Sequence, residues 1–140
     1  MENIKNIDAT QENKWEKIAQ ENFSMWNNAV ETKNPEKVAE LYAENATFLP
    51  TVSEDFKKGQ EGAEEYFKHF LEKNPIGEII EEEVQALGNN FYLHSGMYNF
   101  EIGPDDDRQI MEARFSFVWE QNEQGEWKII HHHSSAKPKE

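Results

Sequence analysis

A chain of 140 residues fits one domain, residues 1–140 with a core over about 12–136, and can bury that core without disulfide or metal staples. Its 28 acids against 14 bases leave a net charge of −14, which repels nucleic-acid backbones and anionic membranes and excludes both as expected partners. Cysteine is absent, so disulfides, thiolate zinc sites and cysteine nucleophiles are excluded too.

The opening segment MENIKNIDATQENKWEK has no apolar core of signal-peptide length, and no run in the chain is apolar enough to span a bilayer. A soluble, cytoplasmic protein is expected. Asp8 or Thr10 can cap a helix to about Lys33, in which Trp15, Ile18, Ala19, Phe23, Trp26, Ala29 and Val30 recur at three-and-four spacing. Asn34-Pro35-Glu36 restarts a short helix, Asn34 as cap and Pro35 in the first turn, from which Val38, Leu41 and Tyr42 face inward. Ala46 to Val52 reads as a strand, and Pro50 predicts an edge position because it cannot donate to a ladder. After the loop SEDFKKGQEG, Glu61 to Lys73 is a third helix with Tyr66, Phe67, Phe70 and Leu71 as its stripe.

The remainder reads as strand: Glu78 to Leu87, Phe91 to Ile102, Gln109 to Gln121 and Glu126 to Ser134, separated by Gly- and Asn-bearing turns. Helices first and a long meander after predict an α+β fold, a curved antiparallel sheet wrapped as a cone around the N-terminal helices. Such a cone has one open end for a ligand. The first several residues and the AKPKE tail read as loose ends.

The segments NPEKVAELYAENATFLPT, GAEEYFKHFL, ARFSFVW and WKIIHHHSS, in that order, resemble the nuclear transport factor 2-like superfamily over roughly Trp15 to Pro138. The likeness is to its SnoaL-like and SgcJ/EcaC-type members and to the association (hub) domain of calcium/calmodulin-dependent protein kinase II. It implies a cystatin-like roll. The scaffold hosts isomerase-like enzymes, cyclases, dehydratases and pure oligomerisation domains, so function has to be read from the site.

The hairpin Met111 to Ser135 concentrates the unusual residues, with Arg114, Trp119, Trp127 and three histidines in alternating positions. Pairing Trp119 with Lys128 puts Ala113, Phe115, Phe117 and Trp119 on one face with Lys128, Ile130, His132 and Ser134. Glu112, Arg114, Ser116 and Val118 then share the other with Trp127, Ile129, His131 and His133. The first face should line the cone. The hub domain carries carboxylate-binding arginines there, and the resemblance puts Phe117 and Ser134 at two of those positions. An aromatic cavity remains, with Trp26, Tyr42, Phe48, Tyr66, Phe70, Phe115 and Phe117 as walls and His132 as its polar group.

Arg114 has two readings: an arginine at a subunit interface, paired with Glu112 or carbonyls, or a carboxylate-binding residue re-aimed into the pocket by a bulge. His131 and His133 project from one strand face, yet no third ligand is specified by spacing, and neither metal nor cofactor is expected. Two functions follow. The first is a homo-oligomeric association domain, a homodimer or larger ring meeting its copy through Arg114, Val118, Trp127, Ile129, His131 and His133, whose apolar pocket holds a small organic ligand or carboxylate without turnover. The alternative is a cofactor-free isomerase, cyclase or dehydratase acting on a ring-bearing or carbonyl substrate, with His132 as base, Tyr42, Tyr66 or Tyr98 as donors and Glu112 orienting. The residues lean toward the first.

Overall fold

The computed structural model describes residues 2–139, with side chains from Lys14 onward. Helix α1 spans Glu2–Glu31 and buries Ala19, Phe23, Trp26 and Val30, with Trp15, Ile18 and Ala29 packed beside them. Asp8 and Thr10 lie inside this helix rather than at its start, and their side chains fall outside the described residues. Lys33, in a left-handed conformation (φ 62°), breaks the chain direction. Helix α2, Pro35–Ala39, then opens with Asn34 accepting from the backbone N–H of Glu36 at 3.0 Å.

Strand β1 covers Tyr42–Leu49, so Tyr42 opens a strand instead of closing α2, and Pro50 stands just past the strand end. A two-residue strand β2, Lys57–Lys58, covers Thr47 and Phe48, which moves β1 off the sheet edge where Pro50 had placed it. Helix α3 runs Gly59–Phe70 and tightens into a 3₁₀ turn, Leu71–Lys73, that ends on a left-handed Asn74 before Pro75. The long strands are β3 (Ile76–Ala86), β4 (Phe91–Ile102), β5 (Gln109–Gln121) and β6 (Trp127–Ala136).

The six strands form one curved, unclosed sheet in the order β2-β1-β6-β5-β4-β3. It is antiparallel except between β1 and β6, which run parallel because the chain passes through α3 and the whole meander before returning beside β1. The helices pack on the concave face. There Trp26 meets Phe67, Phe100 and Phe117 at ring distances of 6.2, 6.1 and 5.5 Å. No helix among the described residues is long and apolar enough to cross a membrane.

Two bulges interrupt the antiparallel ladders. Ile79 pairs with Tyr98 and Glu81 with Met97, so Ile80 is an extra residue, and the Glu81 carbonyl is driven against Gly96. On β6, Ile129 pairs with Trp119 while His131 pairs with Val118, leaving Ile130 unopposed. This second bulge corrects the expected facing of the hairpin. Ile129 turns inward and is fully buried, and Trp127 packs edge-on to Trp15 (6.2 Å) and Tyr92 (5.3 Å). Neither lies on the outer face as expected, and Ile130 does not line the cone.

Candidate functional site

The concave end of the cone gathers side chains from α1, α3 and four of the strands. His132 comes from β6, Tyr42 and Phe48 from β1, Trp26 from α1, Tyr66 and Phe70 from α3, Tyr98 from β4, and Phe115 and Phe117 from β5. The His132 ring is sandwiched between Phe117 (4.0 Å between centroids, 19° between planes) and Phe48 (4.7 Å, 9°), with Trp26 edge-on at 5.8 Å. Period-two alternation after the Ile130 bulge aims His132 and Ser134 inward, and His131 and His133 outward.

A continuous run of polar contacts threads these rings. The Trp26 indole N–H donates to the Tyr42 hydroxyl at 3.3 Å, and that hydroxyl lies 2.7 Å from His132 Nδ1. His132 Nε2 is 3.4 Å from the Tyr98 hydroxyl, which is 2.5 Å from Ser134 Oγ. Ser134 Oγ meets the hydroxyl of Thr51, whose carbonyl accepts from the Tyr66 hydroxyl at 3.0 Å. Thr51 is the member sequence reasoning missed: it follows Pro50 in a turn and carries no periodic signal of its own.

All of these groups are uncharged near neutral pH. Burial holds His132 well below the ordinary histidine value, and the neighbouring His131 and His133 push the same way. Burial raises the Tyr42 and Tyr98 phenols, against smaller opposing hydrogen bonds from Trp26 to the first and from Ser134 and Thr51 to the second. With both ring nitrogens of His132 engaged, no lone pair faces open space.

The expected open cavity is closed. The rings of Trp26, Tyr42, Phe48, Tyr66, Phe70, Phe115 and Phe117 pack on one another, leaving a void of about 10 Å³ beside Thr51, Tyr98, His132 and Ser134. That is room for about one water molecule. Outside it, at the mouth of the cone, an open vestibule of about 670 Å³ shares Tyr66 and Phe70 with the void. The vestibule carries Lys57, His69 and Lys73 against Glu54, Asp55 and Glu65. Lys57 is taken up by Glu65 at 2.8 Å and Asp55 at 3.5 Å.

Arg114 is on the exposed outer face, donating to Ser135 Oγ at 3.2 Å, which removes it from the pocket. No bulge re-aims it: the ladder from Ala113 through Val118 is regular. Glu112 is also outward, 3.5 Å from Lys137 Nζ, so it cannot orient His132. His131 bonds Thr47 Oγ1 at 2.7 Å on the same outer side as exposed His133 and half-buried Val118. No cluster of three or more His, Cys, Asp or Glu suited to a metal exists among the described residues.

A second buried imidazole was not anticipated. His94 shares the inward face of β4 with Tyr92, Tyr98 and Phe100, which the alternation in FYLHSGMYNF could have shown. Its Nε2 lies 2.9 Å from Glu82, its Nδ1 has no partner, and burial lowers its basicity against the pull of Glu82.

The model of the calcium/calmodulin dependent protein kinase II association domain family matches residues 11–138. A solved structure from Xanthomonas campestris, assigned to that association domain, is 40% identical over 84% of this chain and 84% of its own, with a TM-score of 0.80. A nuclear transport factor 2-like superfamily protein from Salmonella enterica superposes at TM-score 0.75 with 17% identity, over 91% of this chain and 94% of its own. A protein from Parabacteroides distasonis, described as a ketosteroid isomerase, reaches 0.64 with 20% identity, over 82% and 84% of the two chains. The latter two show the shared cystatin-like roll alone. No match is found among curated proteins.

Proposed function

Because the chain belongs to the calcium/calmodulin dependent protein kinase II association domain family, we propose that it is a self-associating domain, joined to a second copy through its outer sheet face, with a small-molecule site at the mouth of the cone. The observation that carries the association reading is the composition of that face. Leu93 and Val118 pair as an apolar patch on the side opposite the helices, with Met97 and Ile110 further along the same face. On that face Glu81 and Glu83 stand on β3 and Arg114 on β5, while the neighbouring Glu112 is taken up by Lys137. A two-fold axis along the strands between β4 and β5 lays β5 of one copy over β4 of the other, so that Leu93 lies over Val118 and Arg114 comes beside Glu81.

Light scattering on the full chain tests this, with Val118→Glu and Met97→Glu as variants. A mass of two chains or more should fall to one chain in the variants, with circular dichroism unchanged. A monomeric wild type, or variants of undiminished mass, would overturn it.

Binding is favoured over turnover at the inner site. A general base needs a free lone pair and a basicity near the working pH. His132 offers neither, as both nitrogens are bonded and burial keeps it neutral. The vestibule supplies the space for a ligand, and the hydroxyls behind Tyr66 and Phe70 supply its hydrogen bonds.

A further inference from the structure

Three of the five histidines follow one another on β6, and strand alternation separates them. His132 enters the cone. His131 and His133 stand together on the outer face, the first half-buried and the second exposed. The other two have no second histidine beside them: His94 is enclosed in the core, and His69 lies on α3 at the vestibule.

The outer pair is carried on a fixed backbone, because β6 is paired on both sides. Past the Ile130 bulge His131 lies between Val118 and Thr47, and His133 between Ser116 and Leu49. Two residues along a strand set their Cα atoms about 6.5 Å apart. Two imidazoles leaning together close that span onto one ion held at about 2.0–2.1 Å from each nitrogen. The rings sense each other: burial lowers the basicity of His131, and the nearby His133 lowers it further. His131 Nδ1 is bonded to the Thr47 hydroxyl at 2.7 Å, which leaves its Nε2 free. Neither that atom nor the His133 ring has a hydrogen-bond or ion-pair partner among the described residues. Lys58, opposite Thr47 on β2, is drawn over the Phe56 ring at 5.7 Å.

We propose that His131 and His133 form a two-nitrogen chelate for a divalent transition-metal ion of the zinc type, with Thr47 as the positioning residue that orients His131. A threonine hydroxyl can accept as well as donate, so a metal on Nε2 is matched by the tautomer that carries its proton on Nδ1 and gives it to Thr47. Imidazole nitrogen suits zinc, copper and nickel, whereas magnesium and calcium take oxygen ligands. No carboxylate or third histidine among the described residues completes a cage, so the remaining coordination positions are left to water or to a further ligand. Both ligands belong to one strand of one chain, and the assignment does not rest on association through the outer face.

The test titrates zinc chloride into the full, untagged chain at pH 7.5 by calorimetry, beside long-range ¹H–¹⁵N spectra of the histidine rings. One zinc per chain should bind, and the ring resonances of His131 and His133 should shift together while those of His69 stay in place. Magnesium chloride should shift none of them. Thr47→Val should weaken zinc binding about tenfold, the scale of an outer-shell partner. His131→Gln and His133→Gln should each weaken it by more. Equal shifts at His69, or an affinity unchanged in either histidine variant, overturns the chelate, and an affinity unchanged in Thr47→Val overturns the orienting role of Thr47. The ring spectra of the unaltered chain decide the matter if a variant does not fold.

Discussion

The Tyr42 hydroxyl sits 2.7 Å from His132 Nδ1, joining the first residue of β1 to the eighth-last of the described chain. Both side chains are fully enclosed by aromatic rings. Replacing Tyr42 by Phe keeps the packing and removes the oxygen, stranding two buried polar groups, the imidazole Nδ1 and the Trp26 N–H. The expected cost is about 2–4 kcal/mol of folding stability, larger than a single lost bond because two partners go unpaired. Urea denaturation of Tyr42→Phe beside wild type measures it. A change below about 0.5 kcal/mol would show that the chain contributes nothing.

The same burial makes stability depend on pH. His132 in the folded chain is less basic than the ordinary value of 6.5, which the unfolded chain retains. Below that value the unfolded state binds a proton that the folded state refuses, so stability is complete above about pH 6.5 and is lost as pH falls through it. His131 and His94 are lowered as well and add to the slope. Each contributes at most about 1.4 kcal/mol per pH unit. Urea midpoints at pH 7.5, 6.0 and 5.0 should therefore fall with acidification, and His132→Gln, which cannot titrate, should show a shallower fall. Equal slopes in the two proteins would contradict the assignment.

Much of this arrangement was legible in the sequence, and the exceptions have physical causes. The bounds of β4 and β5, Phe91–Ile102 and Gln109–Gln121, follow from alternation interrupted by turn residues. Asn34 and Pro35 announce α2 through capping chemistry that is purely local. The Ile130 bulge leaves no trace, because adjacent isoleucines fit either face, and it reversed the expected side of Trp127 and Ile129. Strand β2 is two residues long and defined only by its partner β1. Thr51 joined the site through contacts with Ser134 and Tyr66, which lie 83 and 15 residues away. His132 was found because it sits inside a regular strand, where facing can be counted.

Asn27 ties α1 to the far edge of the sheet. Its Nδ2 donates to the Gly77 carbonyl at 2.9 Å, and its Oδ1 accepts from the Gly77 N–H at 3.0 Å, a pair spanning 50 residues. Both backbone groups lie at the start of β3, the edge strand. Asn27→Ala should cost about 1–3 kcal/mol, since it leaves the N–H and the C=O of buried Gly77 without their Asn27 partners. Hydrogen exchange checks the location of the effect. Protection should drop first over Ile76 to Ile79, whereas a uniform drop across all strands would mean the side chain serves general packing instead.

The bulge at Ile80 imposes the strictest size limit in the sheet. A Cβ placed on Gly96 would lie 1.9 Å from the Glu81 carbonyl oxygen and 2.9 Å from the Glu82 Cα, both backbone atoms that no rotamer change can move. Gly96→Ala must therefore push β3 away from β4 at the bulge. The expected loss is about 3 kcal/mol, at the upper end of overpacking penalties, because strand pairing has to yield rather than a side chain. At Gly125, where a Cβ meets nothing within 4 Å but φ is +82°, alanine introduces strain without a collision. Its cost should stay near 1 kcal/mol. Chemical denaturation of the two variants separates collision from conformation, and equal losses would show that the β3–β4 bulge relaxes freely around an added methyl.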